Sequence, residues 1–347
     1  MFLKHLFQRE TPPAPMATGG VPKLPGALWL DEPDAHERIE RKLRKGTVTA
    51  EQAERLHHWV DYGFLTFPIE IDDALCAEID RDVASFWREK PSDLPFAFAG
   101  GLQPMSDADE SRERKSPYRI MDAHSHSHAI LQLYLDRQMF DHLELVFGEP
   151  AVAIQSIYFE YGSQQGPHRD PVYVQTTPPS HLIAGWIALE DINPKAGALS
   201  YFPGSHKLPY FEFEPGRFVF DPMKDAETRI WDMDEFNRQR VREQGLKEEI
   251  FTPKRGTASI WHASLLHGGS LIQDASLTRK SLVVHYSTRK DYKAHGLTIS
   301  YRRVDESGNV TLEPKQIWTQ RVLRANGCEG FDNPLRAAAQ EAAGISA

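Results

Sequence analysis

Cysteine is scarce in this 347-residue chain, which contains only Cys76 and Cys328, far apart and outside any Cys-x-x-Cys pair. Two isolated thiols argue against a disulfide scaffold and against a structural zinc site. They fit a reducing compartment, so we expect a cytoplasmic protein.

Positive charge and long apolar runs are also in short supply. The 40 Lys and Arg residues are outnumbered by 49 Asp and Glu residues, giving a net charge of −9, and no long basic cluster stands out. This balance argues against nucleic-acid binding. The apolar start, Met1–Phe7, is too short and interrupted for a signal peptide or a membrane span, so we expect no stable membrane insertion. The sequence indicates no oligomeric state.

The composition divides the chain into three parts. Residues 1–46 contain a Pro- and Gly-rich stretch, from residue 8 to about 28, and are predicted to be an arm and linker. Residues 47–290 are predicted to form one main domain. Residues 291–347 are predicted to be a C-terminal extension packed on that domain, with a strand pair and a last Ala-rich helix near Pro334–Ala343.

Helical periodicity dominates the front of the main domain. Thr49 and Gln52 have capping-box spacing ahead of a first helix, and a second is predicted from about Asp72 to Arg88. A third is predicted from Ala129 to about Phe147. The polar residues 89–116 between them are predicted to be a long surface loop.

From Ala151 onward, short apolar or alternating runs separated by turn residues replace the helical period. The predicted strands are Ala151–Phe159, Val172–Thr176, Ile183–Leu189, Ala198–Phe202, Phe218–Phe220, Thr257–Trp261 and Ser281–Tyr286. Seven short strands behind a set of helices predict a mainly β fold with flanking helices (α+β), built on a jelly roll.

Two residues with metal-binding side chains stand two positions apart in Gly166-Pro-His-Arg-Asp170. On an extended backbone His168 and Asp170 point to the same face, where an imidazole and a carboxylate suit a divalent transition metal. His267 supplies a third ligand after enough chain for several strands. Two histidines and one carboxylate are typical of non-haem Fe(II) oxygenases, but zinc hydrolases use a similar set, so the triad alone leaves the metal open.

A candidate carboxylate anchor follows the third ligand. Arg279 lies two residues before Ser281, the first residue of the last predicted strand. On an extended backbone the two share a face, so a guanidinium and a hydroxyl can hold the same carboxylate. A 2-oxo diacid held there would reach the metal with its other end. The alternative explanation for Arg279 is a surface salt bridge on an edge strand.

The ordered set of motifs resembles the phytanoyl-CoA dioxygenase-like 2-oxoglutarate oxygenases over roughly residues 47–287. The segments that carry this resemblance are Thr49–Phe67, Gln155, His168–Asp170, Gly185–Asp191, Gly197–Ser200, Pro203–Lys207, Leu265–Gly268 and Arg279–Ser281. The series in this order is far more specific than any one of its motifs.

The resemblance implies a double-stranded β-helix (jelly roll, cupin-like) that holds Fe(II) with His168, Asp170 and His267. It implies oxidative decarboxylation of 2-oxoglutarate to succinate and CO2 with O2, coupled to oxidation of a substrate. Related halogenases replace the carboxylate ligand with a small residue, whereas this chain keeps Asp170. We therefore expect hydroxylation of an aliphatic C–H in a small organic, lipid or sugar-type substrate, with desaturation or ring formation as the alternative.

The resemblance further implies a 2-oxoglutarate pocket anchored by Arg279, with Ser281, Trp186 and Gln155 as further pocket residues. Core packing and an internal hydrogen bond are the alternative explanations for Trp186 and Gln155. His124, His126 and His128 are expected to form a polar segment that leads into the third helix, with a metal site as the alternative. His206 is expected to lie in a structural turn, and His262 and His285 to support the site from behind or to pack in the core.

Other interpretations of the same residues stay open. A cupin-like metal-dependent isomerase or hydrolase would use the triad without Arg279, and a pseudo-enzyme acting as a binding module would be expected to have lost a ligand. An enzyme acting on a lipid or cell-envelope substrate would use the apolar N terminus as a weak anchor. Residues 89–116 and 207–256 are the candidate lids, and the candidate substrate contacts are Arg119, Arg169 and Tyr173.

Overall fold

A computed structural model describes residues 26–332 apart from residues 175, 177, 222–223, 227, 293–296, 305–306, 308–309 and 318–320. Its α-helices are α1 (Ala35–Arg44), α2 (Ala50–Tyr62), α3 (Asp73–Glu89), α4 (Glu110–Glu113), α5 (His128–Tyr134), α6 (Arg137–Phe147) and α7 (Thr228–Glu243). Its strands are β1 (Phe64–Pro68), β2 (Pro95–Phe98), β3 (Gly101–Pro104), β4 (Tyr118–Met121), β5 (Ala151–Phe159), β6 (Ile183–Ala188), β7 (Leu199–Tyr201), β8 (Glu249–Phe251), β9 (Thr257–His262), β10 (His267–Gly269), β11 (Ser281–Thr288), β12 (Leu297–Val304), β13 (Val310–Ile317), β14 (Val322–Ala325) and β15 (Cys328–Phe331). Within these ranges, no helix has both the length and the apolar character needed to cross a bilayer.

Two sheets face each other across an apolar interior. The larger sheet has the strand order β1-β9-β6-β11-β5-β4-β2-β3, and β15, paired with β14, joins it beside β5. The smaller sheet has the order β10-β7-β8 and is extended by a bridge between His168 and His267. Side chains from both sheets, among them Trp186, Leu199 and Phe251, pack between them. The predicted jelly roll with flanking helices is confirmed.

Helices cover the outer face of the larger sheet. On β11, Leu282 and Val284 point away from the smaller sheet into a core shared with α2, α3, α5 and α6. Full burial of such a side chain stabilises the fold by about 1.5–3 kcal/mol. Side-chain caps fix where two of these helices begin. Thr49 and Gln52 form a capping box at the start of α2, and the Asp72 side chain accepts a hydrogen bond from Leu75 N at the start of α3.

Part of the predicted N-terminal arm packs on this core. Within residues 26–46, α1 buries Ile39, and the segment before it buries Leu28 and Leu30. In the predicted C-terminal extension, β12 pairs with β13, and β15 runs parallel to β5. The domain boundaries stay predictions, and the predicted Ala-rich helix near Pro334–Ala343 lies outside the described residues.

The prediction of a surface loop over residues 89–116 was wrong. This segment contains β2, β3 and α4, and the hairpin extends the larger sheet beyond β4. Leu94, Phe96 and Met105 are fully buried. These apolar residues anchor a segment whose average composition is polar, so the composition concealed a short buried hairpin.

Three further local predictions were wrong. The helix predicted from Ala129 to Phe147 is two helices, because the Asp136 side chain accepts from Met139 N and starts α6 anew. A strand was predicted at Val172–Thr176, but Val172 is the last residue of a 3-10 turn, Asp170–Val172. Residues 218–220 form no strand, and Phe218 packs in an aromatic cluster with the insert that carries α7.

Candidate active site

The three candidate metal ligands lie next to each other between the two sheets. His168 N donates to His267 O at 2.9 Å, and His267 N donates to His168 O at 3.1 Å, so the two segments are clamped side by side. Asp170 starts the 3-10 turn, and its N donates to Ala263 O at 3.2 Å. One ligand atom from each of the three side chains lies within 4.8 Å of the other two. The structure thus brings together the residues that the sequence singled out.

Backbone carbonyls set both imidazoles in the tautomer that binds a metal. His168 Nδ1 lies 3.0 Å from Gly166 O, and His267 Nδ1 lies 2.9 Å from Leu265 O. A carbonyl only accepts, so each Nδ1 carries a proton, and Nε2 is the atom of each ring that is left to bind a metal. Burial opposes a charge on His267, but Asp170 raises the pKa of His267, whose Nε2 proton a metal ion would displace. Burial, reinforced by the neighbouring His267, lowers the pKa of His168 to about 3. His168 is therefore neutral at physiological pH, the form that coordinates a cation.

Asp170 is held as a carboxylate by its neighbours. Trp261 Nε1 donates to Asp170 Oδ2 at 2.9 Å, while Asp170 Oδ1 lies 3.3 Å from His267 Nε2 and 3.7 Å from His285 Nε2. Burial opposes the charge, but the attraction and hydrogen bonds of the two histidines hold the pKa of Asp170 well below its usual range. Two imidazoles and one carboxylate, each supported by further hydrogen bonds, fit a divalent transition metal such as iron.

Arg279 is a buried guanidinium. It is 3% exposed, and its Nη1 donates to Ser281 Oγ at 2.8 Å, whereas its Nε has no hydrogen-bond partner in the described part of the chain. Burial, together with repulsion from Arg119, lowers the pKa of Arg279 to about 10, and the attraction of Glu190 opposes this shift. Because an unpaired buried charge is costly, this position suits an anionic ligand.

Arg119 places a second cation beside the first. Its Nη2 donates to Gln165 Oε1 at 2.6 Å, and burial lowers its pKa. The Phe159 ring lies 5.5 Å from the Arg119 guanidinium and 5.1 Å from that of Arg279. Among the described residues, neither arginine forms an ion pair with a carboxylate. The two therefore create a positive region on the inner face of the larger sheet.

Strand register places the remaining pocket candidates on the same inner face. Trp186 on β6 stands opposite Val283, and Gln155 on β5 stands opposite His285, both across from β11. Trp186 is 1% exposed, and its Nε1 finds no hydrogen-bond partner within the described ranges. A buried donor of this kind fits a polar ligand. The pocket role of Gln155 stays a prediction.

The candidate substrate contacts have different surroundings. Tyr173 is 47% exposed, and its ring meets that of His168 edge-on at 5.6 Å, so it borders the open side of the metal-ligand cluster. Arg169 is 2% exposed, packs over Tyr210 and donates to Pro209 O at 2.8 Å. Arg169 therefore ties the candidate lid of residues 207–256 to the ligand segment.

The other histidines serve several purposes. His124 supports the fold, because its Nδ1 lies 2.7 Å from Ser156 Oγ and its Nε2 lies 2.9 Å from Phe331 O. Burial lowers the pKa of His124 to about 3. His285, in contrast, faces the interior beside Asp170, and its Nδ1 has no partner among the described residues.

Sequence reasoning missed one supporting contact at the site. Trp261 was assigned only to a strand, although its indole N–H orients Asp170. On the neighbouring strand, Trp261 stands opposite Ala184. Its position depends on how β9 aligns with β6, which local spacing does not encode. The only indication in the sequence was an aromatic residue at a position where the strand's alternation points the side chain into the interior.

The fold and the cluster together define a jelly-roll protein with a buried His-Asp-His site. The sequence profile described as Phytanoyl-CoA dioxygenase (PhyH) matches residues 59–277, more than half of the chain. The chain belongs to the phytanoyl-CoA dioxygenase family. The resemblance drawn from the sequence motifs is confirmed.

Curated relatives match over short segments. The chain is 37% identical to phytanoyl-CoA dioxygenase domain-containing protein 1 of Bos taurus over 59 residues, which is 16% of this chain and 20% of that protein. It is 35% identical to the Caenorhabditis elegans homologue over 68 residues, which is 18% of this chain and 23% of that protein. The matched segments thus span about a fifth of the relatives' lengths.

Solved structures share the fold at low sequence identity. The epimerase SnoN from nogalamycin biosynthesis is 17% identical, with a TM-score of 0.50 over 81% of this chain and 96% of that one. EctD from S. alaskensis, solved with 2-oxoglutarate and 5-hydroxyectoine, is 16% identical, with a TM-score of 0.50 over 70% of this chain and 77% of that one. These likenesses establish the architecture.

Proposed function

We propose that the chain is an Fe(II)- and 2-oxoglutarate-dependent dioxygenase that hydroxylates an aliphatic C–H of a small organic substrate. The observation that carries the proposal is the presence, in one interior, of a His-Asp-His cluster and a buried arginine that forms no ion pair with a carboxylate among the described residues. The cluster suits Fe(II), and the arginine suits the distal carboxylate of a 2-oxo diacid. A cupin-like hydrolase or isomerase would leave Arg279 without a purpose.

Each side chain has a defined task in this proposal. His168 Nε2, His267 Nε2 and one Asp170 oxygen would hold the iron, and the backbone carbonyls on the two Nδ1 atoms keep the rings aimed at it. Iron, 2-oxoglutarate and O2, when bound, supply the oxidative decarboxylation that yields succinate and CO2. The buried side chains around the site, among them Trp186 and Trp261, would limit the access of water to these groups.

The co-substrate pocket follows from the positive region described above. Arg279 would form a bidentate pair with the distal carboxylate, and the Ser281 hydroxyl would add a hydrogen bond. Arg119 would add long-range attraction, and the free Trp186 indole N–H would supply a further donor. Tyr173 and the insert of residues 207–256 would border the substrate on the open side.

The outcome on the substrate is the finer part of the proposal. Hydroxylation is favoured because the carboxylate ligand Asp170 is retained, which leaves no room for the halide that halogenases bind. Ring formation and desaturation are the alternatives. Proteins of this fold include SnoK, described as a carbocyclase, and EctD, solved with 2-oxoglutarate and 5-hydroxyectoine. We further propose a cytoplasmic location, consistent with two free cysteines.

Substrate-stimulated succinate release tests the proposal. Protein loaded with Fe(II) is screened with 2-oxoglutarate, O2 and a library of small metabolites, with His267→Ala as the inactive control. We expect slow succinate formation without substrate and faster formation with a matching one, whose product gains one oxygen. Absence of succinate above the His267→Ala background, with or without metabolites, would contradict the assignment.

A further inference from the structure

A second group of metal-binding side chains lies on the hairpin of α1 and α2, and none of its members belongs to the site described above. His36 and Glu40 stand one turn apart on α1, and His57 and Asp61 stand one turn apart on α2. Residues at i and i+4 share a helix face. The helices are joined by only five residues, Lys45–Thr49, so they form an antiparallel hairpin in which each histidine meets the carboxylate of the other helix.

The contacts form one continuous line. His36 Nε2 lies 3.3 Å from Asp61 Oδ1, and His57 Nε2 lies 3.0 Å from Glu40 Oε1. Between them, His36 Nδ1 and His57 Nδ1 are 2.6 Å apart, and the rings are inclined by only 15°. The order is carboxylate, imidazole, imidazole, carboxylate.

This arrangement suits a cation between the rings. A carboxylate only accepts, so the hydrogen bond to Glu40 keeps the proton of His57 on Nε2, and Asp61 favours the same tautomer of His36. Both Nδ1 atoms then present lone pairs to the same point, where they repel unless a positive species lies between them. A histidine whose second N–H is held by a carboxylate is the usual arrangement of a metal-bound histidine.

We propose that His36 and His57 bind one divalent transition metal of the zinc type through their Nδ1 atoms, with water completing the coordination. Asp61 and Glu40 hold the opposite N–H groups and balance the charge of the ion, although Lys207 Nζ, 3.9 Å from Asp61 Oδ1, offsets part of that charge. Zn–N bonds of about 2.0–2.1 Å require the two nitrogens to separate to roughly 3.3 Å. The side chains of His36 and His57 are 49% and 29% exposed, so they have room to move apart.

Metal bound in this way would join α1 to α2. The segment before α1 inserts Leu28 and Leu30 into the core, so the ion would fasten the N-terminal segment to the domain. Binding only to the folded state raises stability by mass action. The expected consequence is a zinc-dependent rise in melting temperature that is independent of the iron site.

Zinc binding to the full-length protein tests the proposal through stoichiometry and melting temperature. The comparison is between the chain with its natural residues and His57→Gln, each in a His168→Ala background that disables the interior site. We expect His57→Gln to bind one zinc equivalent fewer and to lose the zinc-dependent rise in melting temperature. His58→Gln is the matched control, because His58 packs on Tyr62 and Phe64 instead of facing His36.

A second variant distinguishes a metal ion bound between the two rings from a proton shared between them. Glu40→Gln keeps both imidazoles and should weaken zinc binding by about 10-fold or more, as loss of a carboxylate behind a metal-bound histidine does. If His57→Gln and His36→Gln both leave zinc stoichiometry and the zinc-dependent melting temperature unchanged, a shared proton joins the rings and the proposal is overturned.

Discussion

The two faces of the larger sheet are built from the same strands but have opposite characters. On β11, Leu282 and Val284 point outward into the apolar layer under the helices, whereas Ser281 and His285 point inward towards the candidate active site. The outward layer gains stability from burial. The inward layer places Arg279 in the protein interior with no ion-pair partner in the part of the chain that the structure describes, which costs stability.

This difference teaches how one sheet serves two purposes. Because side chains alternate along a strand, a single backbone carries both the core and the chemistry. The register between β11 and β5 shifts after His285, where β5 carries one extra residue, Ile154, so β11 keeps its alternation and places Tyr286 in the outer core. Substitutions on the two faces should therefore have separable effects, and four predictions test that separation.

The largest effect is expected on the inner face at Asp170. Asp170→Ala removes one ligand and should reduce succinate formation at least about 100-fold, because even loss of a residue supporting a ligand costs 10–100-fold. The measurement is succinate release under saturating Fe(II) and 2-oxoglutarate. Circular dichroism should show the native fold. Activity above one tenth of the starting value would remove Asp170 from the ligand set.

The second effect is expected on the outer face of the same strand. Leu282→Ala leaves a cavity in a fully buried layer and should lower the free energy of unfolding by about 2–5 kcal/mol. Urea titration measures this loss. Turnover per folded molecule should stay near that of the unaltered protein, and a large drop in turnover without loss of stability would break the proposed separation of the two faces.

The third effect is expected at Arg279 and appears both in the 2-oxoglutarate dependence of turnover and in the melting temperature. Arg279→Met should raise the 2-oxoglutarate concentration needed for half-maximal turnover by about 10- to 100-fold, since a charge-assisted bidentate pair is lost. Without 2-oxoglutarate the same variant should melt at a higher temperature, because an unpaired buried cation has been replaced by an apolar side chain. Arg279→Lys, the matched control, keeps the charge and loses the planar fork. An unchanged 2-oxoglutarate dependence in Arg279→Met would mean that another cation anchors the co-substrate.

The smallest effect is expected in the pH dependence of stability and concerns His124, on the outer side of the larger sheet. Burial lowers the pKa of His124 to about 3, below its unfolded value of about 6.5. Between pH 3 and pH 6.5, the unfolded chain therefore binds a proton at His124 and the folded chain does not. The stability that the neutral His124 contributes is present above pH 6.5 and is lost as the pH falls towards 3.

His124→Gln removes that contribution. Between pH 7 and pH 5, the stability of the variant should fall by about 1–2 kcal/mol less than that of the unaltered protein. Urea titrations at the two pH values measure the difference, and His128→Gln, at an exposed position at the start of α5, is the control. Equal pH slopes for His124→Gln and the unaltered protein would show that His124 is not held neutral by burial.

The sequence was most informative where the residues that define a site lie close together in the chain or stand in a short motif. His168 and Asp170 are two residues apart and His267 stands in its own motif, so the types of the three residues indicated a metal site before any fold was known. Arg279 and Ser281 were found in the same way, through the period of a strand. The structure brings these residues into one interior.

Long-range register was out of reach of the sequence. Trp261 orients Asp170, and Arg119 joins Arg279 at Phe159, only because β9, β4 and β5 align as they do. A short hairpin within residues 89–116 was hidden by its polar surroundings, and Asp136 divides an apolar stripe that otherwise has continuous helical spacing. Each error lies where tertiary pairing or a single cap outweighs average composition.

One measurement tests the central claim most directly. Anaerobic addition of Fe(II) and 2-oxoglutarate should produce the weak visible charge-transfer band of a keto acid chelated to iron. The band should be lost in His267→Ala and should require more 2-oxoglutarate in Arg279→Met. A protein that shows no band at saturating Fe(II) and 2-oxoglutarate would contradict the assignment of the interior as an iron and 2-oxoglutarate site.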